Sequence, residues 1–496
     1  MMERFTGRQQ RPAVGLDPFA RRLIRSVLIT ALLWAAGMLL CWGIGIEPIY
    51  AHPAPFYALW YPVGIRGVLT GGLALTAWYA AAAAVRRLMP STLPRHARVP
   101  RSGLLALMTL LIGFAMLTAS VRGVKGIWQA YNREAYEVIG DIGKTSSIAA
   151  FFRRYTELHP WLSMHGKVHP PGPAALLWLF SYVTGRSAPA LAVATLVFGS
   201  LSVPAMWLWV RRAVNAPTAR AASLLLTCVP SVVLFGAVSA DFLFLPVILA
   251  TLWLFHEALE RQGHPVWSAT AGLGYAFITL MKYSLPAVGI WFGVVGLMLL
   301  RRPGGWRAVI RCAAVMVAVT GGSLFLIWTL TGFNYLEGFA QAAAQFRQDQ
   351  HHLDHLTPRY PAWTFRLLFN PLTFFYFAGF PVSLLALTGA LRLTCCLRRQ
   401  AQARRNRSPA RTGAALTFHE TVTACLITVC VLNLLYLARG EGERSALYLF
   451  PFLVVPAARL AAAARYRTGS DALLAAALTL MAVQTVITDI LFYTYW

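Results

Sequence analysis

The sequence predicts an all-α, polytopic integral membrane protein with about 13 transmembrane helices. Three observations carry that prediction. Of 496 residues, 57% are hydrophobic and only 12% are charged, about half the charge of an ordinary soluble domain. The apolar residues fall in runs of about 17–25, the length that crosses a bilayer as a helix. The arginines gather in the short segments between those runs. Such a chain has too little polar surface to coat a soluble enzyme of its size, and disorder, fibrous repeats and a disulfide scaffold are excluded by the same arithmetic.

Taken in order, the expected spans are 24–45, 58–85, 103–122, 188–210, 219–238, 240–257, 267–282, 284–300, 309–330, 372–392, 416–438, 445–463 and 471–494. The apolar stretch 174–184 is too short to cross and is expected to be re-entrant or interfacial. The first span follows an Arg-rich start without a cleavage pattern and is expected to remain as an anchor. Arg4 to Arg22, Arg86 to Arg101, Arg211 to Arg220, Arg301 to Arg311, Arg392 to Arg411 and Arg459 to Arg467 form six basic groups. Thirteen spans put all six on one side, which the positive-inside rule makes the cytoplasm. The N-terminus is then cytoplasmic. The long loops 123–173 and 331–371, with Lys125, Lys144, Lys167 and Lys282, face outward.

The net charge of +26 would suggest nucleic acid in a soluble protein. Here its confinement to inter-span segments reads as topology signals and contacts with anionic membrane lipids, with no nucleic-acid partner. The seven cysteines show no CxxC pair and read as packing residues.

Chemistry-bearing residues collect on the outward side. The first long loop carries Glu134, Glu137 and Asp141, and then His165-Gly-Lys167-Val-His169-Pro-Pro-Gly172. Two prolines hold His169 extended, and Gly172 permits close backbone approach; the same tetrapeptide also suits a proline-capped helix start. Ile148, Phe151, Phe152 and Tyr155 recur at i, i+3, i+4 and i+7, which predicts an amphipathic helix in the headgroup plane. Plain packing against the protein is the other reading. Asp241 and Lys282 lie where apolar runs meet. An ionisable residue there costs a few kcal/mol unless it finds a partner or water, and so marks a functional site. Asp241 also suits a helix cap. The second long loop offers Tyr335, Phe339 and Phe346 at helical spacing, then His351, Asp354 and His355, then Arg359-Tyr-Pro-Ala-Trp363. The histidine spacing suits zinc but is as readily a solvated loop, and no metal site is expected. Arg439-Gly-Glu-Gly-Glu443-Arg444 is a tight charged turn between two spans.

From about residue 103 to 463 these features resemble the GT-C superfamily of membrane glycosyltransferases, which includes protein O-mannosyltransferases and aminoarabinose transferases. The resembling features are the acidic outer loop, His169-Pro-Pro-Gly172 opening the next apolar segment, Asp241 starting a span and Lys282 ending one. Arg359-Tyr-x-x-Trp363 and Gly440-Glu-x-Glu-Arg444 complete them. The resemblance divides the chain into a cytoplasmic arm with two added helices (1–102) and a GT-C-like catalytic domain (103–496), since the acidic loop follows the third span rather than the first. In place of the family's Asp-Glu pair stands Asn132-Arg133-Glu134.

The resemblance implies transfer of a sugar from a polyprenyl-phosphate donor to a hydroxyl on a lipid, glycan or protein acceptor, with inversion, at the extracytoplasmic face of the plasma (inner) membrane. It implies Asp141 as the base, with Glu134 and Glu137 as alternates, and Lys282, Arg359 and Arg444 on the donor phosphate. His165, Lys167 and His169 would line the donor pocket, Glu443 would orient Arg444, and Asp241 would hold Lys282 or the acceptor. No cofactor is required. A transporter or lipid flippase is the rival reading. It would need ionisable residues at mid-bilayer and internal repeats, and the sequence shows neither.

Overall fold

A computed structural model describes residues 17–43, 60–89, 101–356, 362–403, 416–435, 444 and 446–494. Arg359 and Glu443 lie outside them, and of His351, Asp354 and His355 only the backbone is described. The described chain is helical. Its one strand-like pairing is an isolated bridge between Trp60 and Phe492.

Helices α1 (Pro18–Gly43), α2 (Ile65–Leu88) and α3 (Arg101–Ala119) come first. The first long loop then folds into turns and three short helices, α4 (Ile148–Arg153), α5 (Tyr155–Leu158) and α6 (Met164–Val168). Next come α7 (Gly172–Thr184), α8 (Ala188–Ser200), α9 (Ser202–Ala213), α10 (Ala216–Leu226) and α11 (Pro230–Gly236). They are followed by α12 (Phe244–Glu260), α13 (Pro265–Met281), α14 (Gly289–Leu300) and α15 (Gly305–Thr331). The second outer loop carries α16 (Tyr335–Leu356) and α17 (Ala362–Thr364). The chain closes with α18 (Asn370–Phe377), α19 (Phe380–Ala403), α20 (Phe418–Leu434), α21 (Phe450–Thr468) and α22 (Ala472–Leu491).

Among the described residues, eight helical segments are long and apolar enough to cross a membrane. Two more windows expected as single spans are bent pairs: α10 with α11 turns by 50°, and the 372–392 window turns by 116° between Phe377 and Phe380. Pro230 opens α11, and a proline cannot continue the preceding helix. The sharper turn is made at Gly379, whose φ of +88° is left-handed backbone that favours glycine. Of the thirteen expected windows, eight meet the length and composition of a span, or ten counting each bent pair as one span. The remaining windows hold α13, α14 and α20, of 17, 12 and 17 residues. Helix α7, with 13 residues, rises only about 20 Å and falls short of the roughly 30 Å hydrocarbon layer.

Burial separates the bundle's centre from its lipid side. Nearly all of α10, α11 and the first half of α12 is buried. In α15 only Ala308, Cys312 and Met316 are buried, on the side that meets α13. Trp209, Trp291 and Phe452 pack as a three-ring knot at the centre. On the flank, Trp34 of α1 stacks on Tyr376, with ring centroids 5.2 Å apart. Cys228, Cys312 and Cys425 are buried singly in this packing.

The basic groups gather at one end of the bundle. Arg220, at the start of α10, donates to the Met89 carbonyl beyond α2 and pairs with Asp471 at the start of α22, 3.0 Å away. Asp471 also takes Arg465 near the end of α21, at 2.7 Å. At the same ends of their helices, Arg212 pairs with Glu257 (3.0 Å) and Arg302 with Glu420 (2.7 Å). Asp241 and Lys282 sit at the opposite ends of α12 and α13.

The outer loop corrects one expectation. The Ile148–Tyr155 stretch is not a single interfacial helix. It breaks at Arg154, and its apolar face turns into the protein. Phe151 and Tyr155 are each 1% exposed. Phe151 packs edge-on against Trp178, and Phe152 and Tyr155 against Phe333. The second loop keeps its amphipathic helix, α16, with Leu336, Phe339 and Phe346 exposed along one side.

Candidate active site

The site is built on the α6 turn and the two prolines after it. Ser163 caps α6 by accepting from the Gly166 amide (3.0 Å), the usual work of a serine at this position. Beneath it, the Asp141 carboxylate accepts from the Ser163 amide (2.8 Å), the Ser163 hydroxyl (2.7 Å) and Lys144 Nζ (2.7 Å). The His165 amide donates to the Tyr136 carbonyl (2.9 Å), which fixes α6 against the acidic segment. The buried Tyr155 hydroxyl shares its one proton between the Gly166 carbonyl (2.9 Å) and that of His169. Burial holds this hydroxyl well above the ordinary tyrosine range, so it remains a donor.

His169 is extended (φ −117°, ψ 150°), as a residue before proline should be. Gly172 then starts α7 against the end of α13. A Cβ on Gly172 would lie 2.2 Å from the Leu280 carbonyl oxygen, so only glycine lets the two backbones approach this closely. That contact brings Lys282, two residues beyond Leu280, to the same point as His169.

Six ionisable side chains converge there from four connections. Asp241 Oδ2 lies 3.6 Å from Lys282 Nζ and 3.8 Å from Arg444 Nε, and Oδ1 lies 3.7 Å from His169 Nε2. Glu137 lies 3.5 Å from Arg444 Nη1 and 3.2 Å from His165 Nδ1. Arg444 Nη2 contacts His165 Nε2 at 2.8 Å. All but the half-buried His165 are buried. Lys282 Nζ also lies over the Phe244 ring, 5.9 Å from its centre. Asp241 is aimed by its surroundings: Ser239 Oγ accepts from its amide (3.1 Å), and the neighbouring Phe242 ring fills the space where Gly199 lacks a side chain.

Hydrogen bonding sets the imidazole tautomers. A guanidinium only donates, so His165 Nε2 accepts from Arg444 and Nδ1 carries the proton toward Glu137. His169 Nδ1 lies 2.8 Å from the His165 carbonyl, which only accepts, so Nδ1 carries the proton here too. His169 Nε2 is then a lone pair, buried without a hydrogen-bond partner and facing the Asp241 carboxylate. Burial lowers the His169 pKa from its ordinary value, Asp241 opposes that, and Lys282 and His165 add to it. Two acceptors facing each other across 3.7 Å leave a place for one proton between them.

Of the residues singled out from sequence, Glu137, His165, His169, Asp241, Lys282 and Arg444 meet in this cluster. Asp141 is apart from it: fully buried, with its oxygens taken by Ser163 and Lys144. Glu134 is exposed, and Lys167 is partly exposed, with its carbonyl in contact with His159 Nε2 (2.9 Å). Ser163, Tyr155 and Phe244 were not singled out as site residues. Only Tyr155 carried a signal, its place on the apolar face of the loop helix. Among the described residues no three His, Cys, Asp or Glu side chains form a metal-binding group.

Fold and cluster together define a multi-pass helical membrane protein with a polar site at one end. Residues 168–331, about a third of the chain, match the family model described as dolichyl-phosphate-mannose-protein mannosyltransferase. That match bears out the GT-C glycosyltransferase resemblance read from the sequence, and the matched stretch holds His169, Asp241 and Lys282. Among curated proteins none matches this chain. Among solved structures, the chain is similar to the oligosaccharyltransferase of Archaeoglobus fulgidus, crystallised in complex with Zn and sulfate. The identity is 14% and the TM-score 0.46, over 77% of this chain; the chain spans about half (53%) of that protein.

Proposed function

We propose that this protein is a membrane glycosyltransferase that moves a sugar from a polyprenyl-phosphate donor to an acceptor hydroxyl, with inversion, at the extracytoplasmic face of the plasma membrane. The observation that carries the reading is the convergence of Lys282, Arg444, His169 and Asp241 at one point, at the end of the bundle opposite the arginine pairs. The family match over residues 168–331 supports the class of reaction.

The chemistry follows from the geometry. Lys282 and Arg444 hold the donor phosphate, the guanidinium by its two-pronged donors and the ammonium as a point charge. The acceptor hydroxyl sits beside the His169–Asp241 pair, donating to His169 Nε2. Its oxygen forms a bond to the sugar C1 as the C1–O bond to phosphate breaks, and the bonding pair leaves with the lipid phosphate. The hydroxyl proton passes to His169 Nε2, where it is held against Asp241. The imidazole gains a positive charge as the leaving phosphate gains a negative one. In a site where two carboxylates already offset two cations, this spares the protein a buried net charge. This reading moves the base from Asp141 to the His169–Asp241 pair and asks for no cofactor.

The test incubates the purified full chain with a panel of labelled polyprenyl-phosphate sugars and a hydroxyl acceptor mixture. Transfer from one donor, lost in Asp241→Asn and in His169→Ala while both variants still insert, is the expected result. If no sugar is transferred but labelled lipid crosses vesicles containing the protein, the flippase reading replaces this one.

A further inference from the structure

At the arginine end of the bundle lies a cavity of about 240 Å³ between α1, α19, α21 and the start of α22. Its walls are apolar: Phe19 and Leu23 from α1, Leu385 from α19 and Leu460 from α21. The three leucines are buried at 5–6% exposure. Three guanidiniums stand on the lining, one from each long helix: Arg22, Arg392 and Arg467. They belong to three basic groups far apart in the chain, and all three are exposed.

None of the three has a carboxylate partner among the described residues. The nearby acidic group is Asp471, and its oxygens are taken by Arg220 and Arg465. At the start of α1, Asp17 caps the Phe19 amide with one oxygen. Other arginines at this end have acids within reach: Arg212 has Glu257, and Arg302 has Glu420. Three like charges around one greasy pocket therefore stand without an ion pair among the described residues, and they suit an external anion with an apolar body.

We infer that this cavity binds an anionic phospholipid of the leaflet at the arginine end. The phosphate would sit among Arg22, Arg392 and Arg467, and an acyl chain would lie between Leu23, Leu385 and Leu460. Arginines at the ends of spans stand at headgroup depth, and each basic residue there adds about 1 kcal/mol of attraction to anionic lipid. A free phosphate would satisfy the charges but leave the apolar walls unused.

The test reconstitutes the full chain in nanodiscs of phosphatidylcholine with a minor fraction of phosphatidylglycerol, then measures retained lipid by native mass spectrometry during delipidation. The wild-type protein should retain phosphatidylglycerol selectively, and R22Q/R392Q/R467Q should lose that preference roughly a hundredfold, the product of three such contacts. R301Q/R307Q/R311Q, which removes three exposed arginines from another group at this end, should keep it. Equal loss in both triple variants would reduce the effect to bulk surface charge and overturn the site. Displacement of the lipid by inorganic phosphate at equal concentration would overturn the lipid assignment.

Discussion

At the scale of single residues, the difference between a carboxylate that works and one that braces is a matter of who occupies its oxygens. Asp141 and Asp241 look alike in sequence, each an acid near an apolar run. Asp141 takes three donors within 2.8 Å, whereas the three groups around Asp241 all stand at 3.6–3.8 Å. Asp141→Asn should therefore cost stability, about 1.5–3 kcal/mol for hydrogen bonds to a charged group, read as a lower thermal midpoint in detergent. At a permissive temperature it should retain donor transfer, whereas Asp241→Asn should lose transfer with little change in the midpoint. Loss of transfer without destabilisation in Asp141→Asn would return the base to that residue. The pH profile separates the roles further. A base must be unprotonated, and burial lowers the His169 pKa from its ordinary 6.5, so kcat/KM should hold near neutrality and fall as pH drops through that lowered value. Asp241 favours the imidazolium and Lys282 disfavours it. The acid limb should thus move to higher pH in Lys282→Met, measured on the transfer that variant retains. A limb that does not move would remove His169 from the proton path. The residue types of this site were legible in the sequence, because an outward-facing collection of acids, imidazoles and cations is conspicuous in an apolar chain. Which acid is free was not legible, because Ser163 lies 22 positions from Asp141 and only the folded loop joins them.

At the scale of elements, His169-Pro-Pro-Gly172 does more than start a helix. Its glycine sets how near α7 comes to α13, and hence how near Lys282 comes to His169. A methyl group at Gly172 would stand 2.2 Å from a backbone oxygen, and backbone cannot swing aside as a side-chain tip can. Gly172→Ala should push the two helices apart at a cost of about 1–3 kcal/mol. It should also raise KM for the donor, since misplacing a binding group by about 1 Å costs up to a hundredfold. Gly113→Ala, where added volume meets nothing within 4 Å, is the matched control; equal effects in the two variants would reduce Gly172 to a helix-propensity position. The rigid chain entry and the close approach were both readable from Pro and Gly chemistry. Two other elements were not. The i, i+3, i+4, i+7 stripe at Ile148–Tyr155 is real, but hydrophobic spacing does not say whether protein or lipid covers it. Here Trp178 and Phe333 do. The 372–392 window reads as one apolar run because hydropathy is blind to a single left-handed residue, Gly379, that folds it by 116°.

At the scale of the whole molecule, segregation of charge was the most legible property, because it depends on composition along the chain and not on any one contact. Arg220 with Asp471, Arg212 with Glu257 and Arg302 with Glu420 lie at one end, and Asp241, Lys282, His169 and Arg444 at the other. The number of crossings was less legible, since α13, α14 and α20 are short for a span. Which end faces the cytoplasm is a separate question, for which the positive-inside rule predicts the arginine end. Two exposed positions test it directly: Tyr466, 93% exposed near the end of α21, and Trp161, 76% exposed in the first outer loop. In a background with Cys41, Cys395, Cys396 and the exposed Cys430 replaced by Ser, a membrane-impermeant thiol reagent should label Trp161→Cys in intact cells. It should label Tyr466→Cys only after lysis. The reverse pattern would invert the protein and put the His169–Asp241 site on the cytoplasmic side, where a donor must be presented from the opposite leaflet. Labelling of both positions from one side would mean that the two ends are not separated by the bilayer, and the outer-face chemistry would lose its footing.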